Sequence, residues 1–225
     1  MGERTFTDNE LNEMGKLTLD LIHEAIDSNE PEKAKGLCKR MHLEFQFMHD
    51  LYRDWVTALM THIYENHGEE DLYQGMRKAV GTYLKSSVAL HQKSSFRERV
   101  KLMIAGARGH CQPIEVAEDD EKVILKLKCC AGVSLLKDGF YGPPHDFTMI
   151  TKPHLMTFNM TDFPVYCCHA PIQEELAIEW IGEPVYVSMP AEKMALEGCR
   201  CLIYKDPQSI PEAIYERVNK KKAGS

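Results

Sequence analysis

At 225 residues with 44% hydrophobic side chains, the chain can bury a substantial core, either as one large domain or as two small, closely associated ones. With 34 Asp plus Glu against 27 Lys plus Arg it is acidic, which excludes a general attraction to a phosphate backbone, so no nucleic-acid partner is expected. No apolar run approaches the roughly 18 to 20 residues that cross a bilayer. Met1-Gly2-Glu3-Arg4-Thr5-Phe6 has neither the apolar core of a signal peptide nor the Ser or Thr of a myristoylation signal, so a cytoplasmic protein without a membrane partner is expected.

In chain order, Leu11, Met14, Thr18, Leu21, Ile22, Ala25 and Ile26 repeat at three and four residues, which predicts an amphipathic helix over roughly 8 to 28, capped by Thr7 or Asp8. Ser28-Asn29-Glu30-Pro31 stops it and starts another, because proline suits a first helical turn. From Pro31 to about Asn66 the pattern predicts one long helix, or two with a bend near Gly36, ended by His67-Gly68. Glu69 to Leu84 is a third helix and Lys85 to Ser94 a polar connection. Ser95-Phe96-Arg97-Glu98 has capping-box spacing and opens a fourth helix to about Arg108, with Gly109 as its break.

After Pro113 the period changes. Ile114, Val116, Val123, Ile124, Leu125 and Leu127 flank Glu118-Asp119-Asp120-Glu121, which predicts a hairpin with a charged turn. That acidic run lacks the ligand alternation of a calcium loop. Residues 137 to 155, with Gly139, Gly142, Pro143, Pro144 and Pro153, form a long irregular connection suited to covering a site. Pro164 to Cys168 reads as a short extended run and Pro171 to Trp180 as a helix with Glu174-Glu175 near its positive end. Val185 to Ser188 and Cys199 to Tyr204 are further strands, and Pro207 to Val218 a closing helix before a solvated Lys220-Lys221-Lys222 tail. The fold expected is α+β: a helical region over 1–109 packed on a cysteine-rich α+β region over 110–225 with a mostly antiparallel sheet, together one functional unit.

Chemistry is expected in the second region. Cys38 stands alone, whereas Cys111, Cys129, Cys130, Cys167, Cys168, Cys199 and Cys201 all fall beyond residue 110. Without a secretion signal they are expected as free thiols. Cys167-Cys168-His169 joins the two residue types that zinc or iron prefers, with Cys130 and Cys199 as further ligands at element ends. On an extended run Cys167 and Cys168 diverge, so one of them is expected to join His169. The same cysteines also read as small buried apolar residues. In the long helix His42, Gln46, His49 and Arg53 share one face beside Leu43, Phe47, Leu51 and Trp55, which offers His49 as a proton carrier and Arg53 as an anion clamp, or else a solvent-facing stripe. Tyr141 and His145 are placed to lie over a site or to form a structural corner. The chain has no C-x-x-C, no nucleotide-binding glycine fingerprint, no G-x-S-x-G and no H-E-x-x-H.

Pro164-Val165-Tyr166-Cys167-Cys168-His169, then a helix, a strand and Gly198-Cys199-Arg200-Cys201-Leu202-Ile203-Tyr204, resembles the L-2-amino-thiazoline-4-carboxylic acid hydrolase family and its relatives with a vinyl-reductase type of domain. The resemblance covers about the last third. It implies a helical leader on a small α/β domain whose last strands carry a glycine followed by a cysteine. The chain departs from it at Cys201-Leu202-Ile203, where the family has a Cys-Asp-Phe-like segment, and the resemblance assigns no residue a role.

The expected function is an enzyme on a small polar or anionic molecule, with hydrolysis as the reaction class. One version has a water on a metal held by a subset of Cys130, Cys167, Cys168, His169 and Cys199; the other has Cys168 or Cys130 as nucleophile beside His169. The alternative is a non-catalytic ligand-binding or redox-sensing protein in which the thiols oxidise or hold a structural metal. The aromatic long helix also offers a homodimer interface.

Overall fold

The structure, a computed structural model, describes residues 5–111 and 114–222; Met1 to Arg4, Gln112, Ala223 to Ser225 and Pro113, where the period changes, lie outside the described residues. The architecture is α+β, with the helices concentrated toward the N-terminus and a four-stranded antiparallel sheet. No described helix is long and apolar enough to cross a membrane. Two compact units divide the chain after Tyr52 and not near residue 109, because the helices from 69 to 108 pack with the sheet region.

The first unit holds α1 (Asp8–Met14), α2 (Thr18–Asp27) and the opening of α3 (Pro31–His67). Thr7 caps α1 through a reciprocal box with Glu10. The single helix expected over 8 to 28 is broken at Gly15: glycine weakens a helix interior, and Leu17 in extended conformation restarts the chain as the cap of α2. Gly36 does not bend α3, which runs unbroken.

The second unit begins at Arg53 in α3. α4 (Glu69–Lys93) continues through the stretch expected as a connection. Leu72, Met76, Val80, Leu84, Val88 and His91 keep a buried stripe at three and four residues, and that packing outweighs the weak helix propensity of Ser86 and Ser87. α5 (Phe96–Arg108) starts on the Ser95 and Glu98 box and ends at Gly109 as expected. β1 (Ile114–Glu118) and β2 (Lys122–Leu127) form the expected hairpin, its turn closed by Asp119 Oδ1 accepting from the Glu121 and Lys122 amides at 2.9 and 2.8 Å.

Beyond it a seven-residue α6 (Ala131–Lys137), too short to show a period, was not expected. The short strands β3 (Met149–Ile150) and β4 (Phe163–Pro164) pair within the long connection. Val165 to Cys168 is a 3-10 helical turn instead of an extended run, and it leads directly into α7 (His169–Ile181), two residues before Pro171. β5 (Val187–Pro190), α8 (Met194–Glu197) and β6 (Cys199–Tyr204) follow, and the expected closing helix is reduced to a 3-10 turn and α9 (Glu212–Glu216). The sheet order is β1-β2-β6-β5, with Leu127 opposite Cys199 and Pro190 opposite Cys199 on the other side.

α7 is the central helix of this unit. It packs on α4 so closely that a β-carbon on Gly81 would touch the Trp180 ring at 3.6 Å. Ile172, Leu176, Ala177 and Ile178 are buried, and so are Glu174 and Glu175, which do not stand in solvent near the helix start. A buried carboxylate must be paired. Arg217 supplies Glu174 with Nη2 contacts at 2.7 and 2.6 Å and also donates to the Ser188 carbonyl at 2.8 Å, while Ser188 N donates to Glu174 Oε1. Glu175 accepts from Tyr73 Oη at 2.8 Å and from Arg77. Arg217→Met should therefore lower stability by about 3–5 kcal/mol, the cost of a buried charge left alone, and Glu174→Leu in the same chain should recover most of it. Urea unfolding of the single and double variants checks this.

Candidate functional site

Side chains alternate along β6, so Cys199, Cys201 and Ile203 face one side of the sheet, opposite Pro190 and Ser188 of β5. On that side, among α4, α5, α7 and the sheet, lies a cavity of about 460 Å³, within the range of small-molecule sites. Leu84, Leu102, Met103, Phe163, Val185 and Ile203 make most of its wall apolar. Cys130, Cys167, Cys199, Cys201 and His169 also line it.

Two glycines bring these thiols together. Gly198, at φ +76°, passes so close to β2 that a β-carbon would sit 2.1 Å from the Leu127 carbonyl oxygen. A β-carbon on Gly132 would sit 2.5 Å from Cys167 Sγ, so the first turn of α6 rests directly on that sulfur. The cap of α6, the 3-10 turn and the start of β6 thereby converge.

The thiols are not equivalent. The neighbouring Cys199 side chain, with lesser help from the Val133 and Gly132 amides, lowers Cys130 to about 7 against the opposing effect of burial. Cys199 is driven far up in turn, first by the neighbouring Cys130 sulfur and then by burial, so it keeps its proton. Burial raises Cys167 well above the ordinary thiol range and Cys201 to about 12. Cys130 is thereby the most readily ionised of these thiols.

His169 Nδ1 lies 2.7 Å from the Tyr166 carbonyl, to which it donates. The ring's other nitrogen, Nε2, is then the unprotonated one, and burial favours this neutral form by lowering the imidazole's pKa. Polar side chains form a second element of the lining: Tyr186 Oη donates to Gln173 Oε1, and Gln173 Nε2 donates to Tyr83 Oη.

Of the residues singled out in the sequence, Cys130, Cys167, Cys199 and His169 meet at this cavity. Cys168 does not line it; the thiol is fully buried in the core, and burial holds it well above the usual range. His49 belongs to the first unit, with Nδ1 3.0 Å from Asp50 Oδ1. Arg53 lies outside the lining: Nε donates to Asp54 at 2.7 Å, Nη1 to Ser134 Oγ at 2.9 Å, and the guanidinium sits 5.5 Å from the Phe140 ring centre, where it braces α6 and the loop after it. His145 stacks on Phe140 at 4.1 Å and Tyr141 packs edge-on to Phe147, an aromatic corner outside the cavity lining.

Among the described residues no three His, Cys, Asp or Glu side chains are grouped as a metal site. Of the zinc or iron ligand set expected at Cys130, Cys167, Cys168, His169 and Cys199, Cys168 lies in the core apart from the other four. Sequence reasoning missed Cys201, Gln173 and Tyr186. Cys199 and Cys201, two residues apart on a strand, share one face, but nothing local in the sequence shows that a cavity, not core, lies above it.

Comparison of the chain with protein-family models, with curated proteins and with solved structures gave no match.

A thiol lowered to about 7 is roughly half ionised at neutral pH, against a few per cent for an ordinary cysteine. Alkylation of Cys130 by iodoacetamide should rise with pH through about 7 and level off above it. Cys199→Ala should move that midpoint upward and slow the reaction at pH 7 by about five- to tenfold. Mass-resolved labelling across pH checks both.

Proposed function

We propose that the second unit is a small-molecule hydrolase in which Cys130 is the nucleophile. The observation that carries this is the convergence of Cys130 and Cys199 on the wall of an apolar cavity of substrate size, where the neighbouring thiol and the α6 amides favour the thiolate of Cys130. The Cys130 thiolate attacks an electrophilic carbon of the substrate, a carbon–sulfur bond forms as the bond to the leaving group breaks, and the leaving group departs with that bond's electron pair and takes any proton it needs from solvent. Water, deprotonated by His169 Nε2, then cleaves the carbon–sulfur bond and regenerates the thiolate. The apolar wall selects a substrate with an apolar body, and Tyr83, Gln173 and Tyr186 orient its polar atoms. The likeness of the last third to the thiazoline-carboxylic acid hydrolase family supports hydrolysis as the reaction class. Free cysteines suit a reducing compartment, and the reading places the protein in the cytoplasm.

p-Nitrophenyl esters of increasing acyl length are the test. The wild-type chain should release a burst of one p-nitrophenolate per Cys130 and carry the matching acyl mass on the peptide containing it. Cys130→Ser should lose the burst, and Cys168→Ser should keep it if the chain folds. An undiminished burst from Cys130→Ser would sink the proposal.

The same convergence favours a second reading, reversible redox sensing. A peroxide oxidises the Cys130 thiolate to a sulfenic acid as its O–O bond breaks, and the Cys199 sulfur displaces water to form a disulfide. Stoichiometric peroxide should then remove two thiols in the wild type and no such pair in Cys199→Ala. Cys130 sulfinic acid formed without any disulfide would exclude this reading.

A further inference from the structure

The cavity has two chemically different ends. Cys199 and Ile203 line it from one face of β6, four residues apart, which is about 13 Å at roughly 3.3 Å per residue. Cys199 marks the thiol end. At the other end Ile203 borders a small adjoining void together with His91 and Arg99, both of which also line the cavity. The same order holds along α7: His169 opens it two residues after Cys167, whereas Glu183, just past its end, lies 3.1 Å from His91 Nε2.

The far end carries donors without acceptors. An arginine only donates, so the 2.8 Å contact of Arg99 Nη1 with His91 Nε2 makes Nε2 the acceptor and leaves the ring proton on Nδ1. His91 is buried and its Nδ1 has no partner. Arg99 Nε is likewise buried without one, and Nη2 makes no hydrogen bond among the described residues. Nε and Nη2 are the edge by which a guanidinium grips a carboxylate with two parallel bonds. Arg217 uses that edge on Glu174, with Nε at 3.2 Å and Nη2 at 2.7 Å. Glu183 approaches Arg99 at Nη1, 3.7 Å away, and does not line the cavity. An acceptor on a ligand would relieve these buried donors.

Among the described residues no Asp or Glu lines the cavity, in a chain that has 34 of them. Nothing in the wall therefore repels an anion. The wall is mostly apolar and so is its rim, where Leu90 and Leu102 are 47% and 44% exposed. An apolar chain can enter there and be buried.

We infer that the cavity takes an elongated apolar chain ending in a carboxylate, which the Nε and Nη2 edge of Arg99 and Nδ1 of His91 hold while the chain runs toward Cys130. As a statement about substrate this rests on the proposed hydrolase: the substrate is an acyl compound whose carboxylate lies at the end remote from the carbon that Cys130 attacks.

Calorimetric titration with decanoate and with decanol tests the inference. Neither has a leaving group, so binding is read whether or not Cys130 turns over. Decanoate should bind the wild-type chain about tenfold more tightly than decanol, as a charge-assisted pair allows. Arg99→Gln should lose about that tenfold for decanoate and bind decanol as before. A wild-type chain that binds the two equally, or binds neither, would overturn the inference without recourse to a variant. So would an Arg99→Gln chain with the wild-type melting temperature and undiminished decanoate binding. Decanoate bound as expected, with no ester burst at Cys130, would uphold this ligand class and remove the hydrolase alone.

Discussion

At Gly198 the chain leaves α8 with φ at +76° and runs against the carbonyl of Leu127 at a distance that admits no side chain, and the geometry of the thiol cluster depends on that approach. The contact fixes where β6 begins relative to β2. Side chains alternate along a strand, so a slip of one residue would turn Cys199 and Cys201 away from the helices and send Arg200 and Leu202 in their place. Gly132 sets the opposite wall in the same way by allowing α6 to lie on the sulfur of Cys167. The lowering of the Cys130 pKa is thus a consequence of backbone packing: its neighbour Cys199 is held in place by residues that have no side chain at all.

The second constraint is the burial of α7. Packed on α4, β5 and the 3-10 turns, α7 buries most of its residues from Pro171 to Ile178, yet its sequence carries Glu174 and Glu175 side by side there. Each is met from a different direction, Glu174 by Arg217 beyond α9 and Glu175 by Arg77 on α4. Pairing of this kind adds little net stability over an apolar core, but it penalises any arrangement in which the partners do not meet. The closing segment and α4 are therefore held in register with α7, and α7 carries His169 and Gln173 into the cavity wall.

What the sequence made legible were the features written in neighbouring residues. The Ser95 and Glu98 box, the Gly109 stop, the Asp119 turn and the Cys199 strand all lie where local chemistry put them. Expectation failed where distant contacts decide. Val88 and His91 hold α4 helical past its serines because of what they pack against, and α6 is too short to announce itself. At the candidate site, Cys130, Cys167, Cys199 and His169, grouped from composition, line one cavity. Cys168 and Arg53 lie outside that lining, because the Val165 to Cys168 turn is 3-10 helical and because Ser134 and Phe140, far along the chain, take up the guanidinium.

The sheet ends in two strands that repel further neighbours. β1 sets Glu115 and Glu118 along one border, with Lys126 and Lys128 close to Glu115, and β5 closes the other border with Pro190, which has no amide proton to donate. A stray strand would meet charge on one side and a missing donor on the other. The fold is thereby protected from edge-to-edge stacking of the kind that seeds fibrils, including when chains crowd together during synthesis.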